Sequence, residues 1–303
     1  KPTKLMNYNV IKQEELKDGD LICHLHCFNL DKFNEIFRPY IEVLKIHFKI
    51  IITYTHGDPY FINDMQCNCL QIKNKGMDIG AKMVTVDYLK SKDINYEYIF
   101  MLHSKNNKTK RDQYFNSFFM KLNNILQIIY HKKEVGIITP DIIHGNLYHE
   151  SFGINQININ QISEYLDLPI YTSIFPEGNC YILHKDVAEL LYGNKLFYNM
   201  LNTKTSFSLN WFKLFYRLKE TNSKILYKKY LLEGLHANHL DSNLGYNGLA
   251  DGMIEHVFER IVFAACIKLD KKIYIINKSN KELDYINNVL SFDSHFYKKL
   301  YPD

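Results

Sequence analysis

Short apolar runs alternate with stretches of helical periodicity through the first half of the chain. Asp20 to Phe28 reads as a first strand, and Asp31 then caps a helix running to about Ile46. Phe48 to Tyr54 is a nearly continuous apolar strand, of the kind buried on both faces of a parallel sheet. A strand over 67–72, a helix over 80–92, a strand over 96–102, a helix over 112–130 and a strand over 135–139 continue the pattern, and Pro140 stops it. Such alternation predicts an α/β fold: a Rossmann-type, mostly parallel sheet flanked by helices, with ligands bound beyond the carboxyl ends of the strands. Residues 1–18 are polar and lead into the fold.

The second half is less regular and more helical. Its pattern predicts a loop over 155–161 entering a helix, a strand over 179–184, and helices over 186–192, 203–219 and 251–266. There is no internal repeat and no linker rich in Pro, Gly or Ser. The expectation is one domain over 1–303, with unequal halves at about 19–145 and 146–303.

The chemistry worth weighing lies just after the strands. Lys73-Asn74-Lys75-Gly76-Met77-Asp78-Ile79-Gly80 is a basic, glycine-punctuated turn between a strand and a helix, which offers amide N–H groups and a positive helix end to an anion. Asp78 breaks that logic, because a carboxylate there suits a ribose or sugar hydroxyl instead. The strand ending in Leu102 runs into His103-Ser104-Lys105 and a cationic stretch to Arg111, which suits a diphosphate. A solvated basic loop is the plainer account. His24 and His26 share one face of the first strand by alternation, as metal ligands would or as hydrogen-bonded neighbours would. Phe175-Pro176-Glu177-Gly178-Asn179 is a turn that needs no function, although Glu177 at its tip could act as a base.

The segment from Asp251 to Arg260 opens an amphipathic helix. Ile254, Val257, Phe258, Ile261, Val262 and Ala265 form its buried stripe, with Glu255 and Glu259 on one flank and His256 and Arg260 on the other.

Composition narrows the classes. A formal net charge of +4 from 37 basic and 33 acidic residues does not single out nucleic acid as a partner. No apolar run is long enough to span a bilayer, roughly 18 to 20 residues. Six cysteines without a CxxC pair read as reduced, buried thiols and suit the cytoplasm, of a host cell or beside a membrane. The first residue is Lys1, which suggests a piece of a longer chain.

Four segments resemble, in order, the rhamnan synthesis protein F family of bacterial polysaccharide glycosyltransferases. They are His24-x-His26-x-Phe28, Asn74-x-Gly76-x-Asp78-Ile79-Gly80, Leu102-His103-Ser104-Lys105, and the late helix with His256, Glu259 and Arg260; Phe175 to Gly178 is a looser fifth. Lys75 and Met77 stand where the family has arginines, and Asn179-Cys180-Tyr181 where it has Ser-Met-Phe. The resemblance implies a GT-A-like fold, with a nucleotide-binding half and a more helical acceptor half. It implies transfer of a sugar, rhamnose or another deoxyhexose, from a UDP-, dTDP- or GDP-linked donor to a glycan or glycolipid acceptor. On that reading His26, Asn74, Gly76, Asp78, Gly80, His103, Ser104, Lys105 and Arg260 bind the nucleotide sugar. Asp251 or Glu177 supplies a base, and His256 and Glu259 shape the reacting centre. Many enzymes of that fold hold Mn or Mg with an Asp-x-Asp where this chain has His103-Ser104-Lys105, so a cation in the metal's place is the expectation and a metal the alternative. Two rivals remain: a metal-dependent hydrolase built on His24, His26, Asp58 and His103, and a glycan-binding domain without catalysis.

Overall fold

A computed structural model describes residues 6–104, 107–144, 156–169, 174–201 and 254–277. In chain order the elements are β1 (Tyr8–Lys12), β2 (Ile22–Asn29), α1 (Phe33–Ile36), α2 (Arg38–His47), β3 (Lys49–His56), β4 (Asn68–Ile72), α3 (Met77–Ser91), β5 (Tyr98–His103), α4 (Lys108–Met120), α5 (Leu122–His131), β6 (Val135–Thr139) and β7 (Ile142–His144). They continue with α6 (Gln156–Leu166), β8 (Ile174–Pro176), β9 (Tyr181–His184), α7 (Lys185–Tyr192), α8 (Lys195–Met200), α9 (Ile254–Lys268) and β10 (Lys272–Ile275).

Eight strands form one sheet in the order β1-β4-β3-β2-β5-β9-β6-β10. β2 pairs in parallel with both β3 and β5, β3 with β4, and β6 with β10. Two strands run against the rest: β1 on β4 at one edge, and β9 between β5 and β6. The chain leaves β2 towards β3 and β4 on one side and later returns to β5 on the other. The strand order therefore reverses between β2 and β5, the place where such sheets open a crevice at their carboxyl edge. Strands from both sides of residue 146 enter this sheet, since β9 and β10 belong to it.

Alternation along the strands divides the core in two. Ile22, Ile51, Leu70, Ile99, Met101, Tyr181 and Leu183 face α3, α7 and α9. Cys23, Leu25, Ile50, Ile52, Phe100 and Ile182 face α1, α2, α4 and α5. His24 and His26, two and four residues on from Ile22, therefore lie on the α3 side.

Several elements depart from expectation. The helix expected over 31–46 breaks, because Pro39 starts a new helix at α2. The helix expected over 112–130 starts earlier, at Lys108, where Asn107 Oδ1 accepts from Lys110 N (3.0 Å), and it is interrupted at Lys121. The polar leader contains β1, anchored by Met6 N donating to the buried Asp87 carboxylate (3.0 Å). Helix α6 covers much of the expected loop, and β7, β8, β10 and α8 were not expected. The helix expected over 203–219 lies outside the described residues, and the one expected over 251–266 is α9. Among the described residues no helix is long and apolar enough to cross a membrane.

Candidate functional site

Two strained turns lie near the carboxyl ends of β2 and β5. The first joins β4 to α3: Gly76 and Met77 both take left-handed conformations, with φ of 71° and 48°. Gly80, one turn into α3, packs so closely that a Cβ there would overlap the Lys75 carbonyl oxygen. The second precedes β9, where Gly178 and Asn179 repeat the left-handed pair at φ of 83° and 59°. A Cβ at Gly178 would run into the Tyr114 ring. Non-glycine residues at positive φ cost about 1 kcal/mol or more each, and such strain concentrates at functional sites. Because β9 runs antiparallel, its first residues come to the same edge as the last residues of β5.

His26 and His103 face each other across the β2–β5 ladder as register partners. Asp78 enters from the first turn of α3. One turn on, the Lys82 ammonium is 1% exposed and lies 3.4 Å from Asp78 Oδ2. It also donates to Asn179 O (2.7 Å) and to the Tyr181 hydroxyl (2.9 Å), and it sits over the Tyr181 ring. The Tyr181 and Tyr192 hydroxyls bond each other. His103 Nε2 donates to Gly178 O (2.9 Å), which ties β5 to the second turn. Asp78 Oδ2 is buried and accepts no hydrogen bond among the described residues.

The charges sort themselves by neighbour. Burial raises the Asp78 carboxyl, but His103, Lys82 and His26 outweigh it and hold it at about 2. Burial disfavours charge on His103, yet Cys180 and Asp78 bring it up to about 9. Burial takes His26 down to about 4, with Asp78 opposing and His103 assisting. Burial also lowers Lys82, against the pull of Asp78, Cys180 and Glu259. The Cys180 thiol is pushed up by burial, and the stronger combined effect of His103 lowers it. At neutral pH this edge of the sheet therefore holds the Asp78 carboxylate, a His103 imidazolium supported by Cys180 and Asp78, and a neutral His26, with Lys82 beside them.

Of the residues singled out from sequence, His26, Asp78, His103 and Glu259 contribute to this cluster. Gly76 shapes the turn beside it, and Asn74 is exposed on that turn. Gly80 packs against the Lys75 carbonyl oxygen. Ser104 is taken up by the sheet: its N donates to His26 O (2.8 Å) and its Oγ accepts from Phe28 N (3.1 Å). Glu177 pairs with Lys110 (2.9 Å). Arg260 is buried, not a solvated flank; it donates to His256 O (2.8 Å) and lies over the Phe175 ring of β8. Glu255 is buried as well. His256 and Glu259 stand 3.9 Å apart. Lys105 and Asp251 lie outside the described residues.

The residues of the metal alternative have other partners. His24 and His26 both turn to Thr53, and Asp58 caps the turn at Pro59, accepting from Tyr60 N (2.9 Å). Among the described residues no group of three or more His, Cys, Asp or Glu side chains is placed to hold a metal.

Lys82 and Cys180 escaped the sequence reading as site residues. Lys82 left a signal, being the one charge in the apolar run from Ile79 to Val86. No family model, no curated protein and no solved structure matches the chain.

Proposed function

We propose that this chain is a GT-A-like glycosyltransferase that moves a hexose or deoxyhexose from a nucleoside-diphosphate donor to a glycan acceptor. The observation that carries the reading is the ionised Asp78 carboxylate beside the carboxyl ends of β2 and β5, whose buried Oδ2 has the Lys82 ammonium 3.4 Å away but no well-aligned hydrogen-bond donor among the described residues. A sugar or ribose hydroxyl is the donor such an oxygen lacks. Beside it, the His103 imidazolium is suited to a leaving diphosphate, the role that a metal plays elsewhere. The mostly parallel sheet with its reversed β9 supports a GT-A-like assignment, as do the four segments that resemble the rhamnan synthesis protein F family. Six free, buried cysteines suit work in the cytoplasm.

Calorimetry against UDP-glucose, dTDP-rhamnose and GDP-mannose tests the proposal. One of them should bind, and Asp78→Asn should weaken it by about 2 kcal/mol, the scale of a lost hydrogen bond to a charged group. A folded wild-type protein that binds none of the three, nor the free nucleoside diphosphates, would overturn it.

A further inference from the structure

Thr53 lies in the middle of β3 and is fully buried. Its Oγ1 is 2.8 Å from His24 Nε2 and 3.0 Å from His26 Nδ1. A threonine hydroxyl has one proton and two lone pairs. Thr53 Oγ1 has no other partner among the described residues, so accepting from both rings would strand its own buried proton; it therefore donates to one ring and accepts from the other. Burial keeps both imidazoles neutral, His24 well below its ordinary value and His26 at about 4. Each ring therefore carries a single N–H, and the direction of the chain fixes both tautomers together.

The far end of the chain sets that direction. His24 Nδ1 is buried and has no hydrogen-bond partner among the described residues. An orphaned N–H in a buried site is rarer and costlier than an acceptor left bare. His24 Nδ1 is thus the bare nitrogen, and Nε2 carries the proton and donates to Thr53. The Thr53 hydroxyl then donates to His26 Nδ1, and the His26 proton is left on Nε2.

We infer that Thr53 locks His26 as the Nε2–H tautomer and so sets a hydrogen-bond donor beside the Asp78 acceptor, a pair that reads one hydroxyl of the bound sugar. The His26 bond to Thr53 is made through Nδ1, which leaves Nε2 for a ligand, and Asp78 Oδ2 has the Lys82 ammonium 3.4 Å away but no well-aligned hydrogen-bond donor among the described residues. A hydroxyl donates and accepts at once, so it satisfies both groups. A deoxy position satisfies neither, and an ammonium or a second carboxylate satisfies only one. Thr53 acts through His26 and is a positioning residue. The tautomer assignment stands on the hydrogen-bond chain and the burial of the two rings; its use in reading a sugar hydroxyl rests on the function proposed above.

Two-bond 1H–15N correlation spectra of the full chain, labelled at histidine and recorded at neutral pH, decide the assignment. His26→Gln identifies the His26 signals. In the wild type, His26 Nδ1 should resonate as an unprotonated nitrogen and Nε2 as a protonated one. Thr53→Val, which keeps the shape and removes the hydroxyl, should mix the two tautomers, and Thr53→Ser should restore the single form. Affinity for whichever of UDP-glucose, dTDP-rhamnose and GDP-mannose binds should fall about tenfold in Thr53→Val and recover in Thr53→Ser. A wild-type His26 protonated at Nδ1 overturns the inference whatever the donor results. The expected tautomer with no binding of any donor keeps Thr53 as the lock and removes the sugar reading.

Discussion

His26 and His103 are register partners on adjacent strands, yet their surroundings drive them to opposite charge states. Burial and the neighbouring imidazolium leave His26 neutral down to about 4, whereas Cys180 and Asp78 keep His103 charged up to about 9. One ring can donate or accept a neutral hydrogen bond while the other offers a positive charge to an anion. The separation follows from position. His26 is tied back to Thr53, and His103 is turned towards Gly178 and Cys180.

The pair makes opposite contributions to pH-dependent stability. His103 is raised above its unfolded value of 6.5, so its contribution is complete below that pH and is lost as pH rises through about 9. His26 is lowered, so its contribution is present above 6.5 and is lost as pH falls towards about 4. Denaturant unfolding over this range should show His103→Gln flattening the alkaline limb and His26→Gln the acid limb. If both variants leave the wild-type profile unchanged, neither ring has the assigned state.

The buried ion pair of Asp78 and Lys82 calls for a double-mutant cycle. Lys82 is 1% exposed, so removing Asp78 strands an ammonium with only neutral partners, and removing Lys82 takes away one of the cations that hold Asp78 ionised. Lys82→Met and Asp78→Asn should each cost about 3 to 5 kcal/mol, while the double variant should cost much less than their sum. Additive losses would show that the two groups do not interact.

Much of this arrangement was legible from the sequence, because short-range rules govern it. Alternation placed His24 and His26 on one face, and the apolar runs gave β2 to β6 in order. The strand-to-helix turn pointed to Asp78. Three features were hidden for physical reasons. The reversal of β9 depends on how the chain crosses between Pro140 and Asn179, and no local pattern encodes that path. Thr53 looks like an ordinary β-former until β2 is seen beside it with two imidazoles. Lys82, four residues after Asp78, has the spacing of a solvated helix pair, and only the packing of Tyr181 and Tyr192 on α3 puts it inside.

Both turns depend on the absence of a side chain. Gly80→Ala would drive a Cβ into the Lys75 carbonyl oxygen, which is backbone and has no free rotation to yield. Gly178→Ala would meet the Tyr114 ring and hold a non-glycine residue at φ 83°. Each should destabilise the protein by about 3 kcal/mol, measured by chemical unfolding. Gly19→Ala is the control: a Cβ there meets nothing within 4 Å, so only its φ of 85° is strained and the loss should be smaller, about 1 kcal/mol. Equal losses at all three positions would remove the close approaches from the account.

The assignment of a general base turns on Lys110. Its ammonium lies 2.9 Å from Glu177 Oε1 and ties the turn before β9 to α4. A carboxylate held by an ammonium at that distance is a weak proton acceptor, because accepting the proton would discard the ion pair. Under the proposed transfer reaction, with inversion, the base role then passes to Asp251, the other carboxylate that the family resemblance offers. Glu177→Gln should keep transfer within about threefold of wild type, with stability changed by no more than about 1 kcal/mol, as for a partly exposed pair. Asp251→Asn should keep donor binding and lower transfer by about a hundredfold or more. The reverse pattern, with Glu177→Gln inactive and Asp251→Asn active, would put the base on the turn and make Lys110 its release.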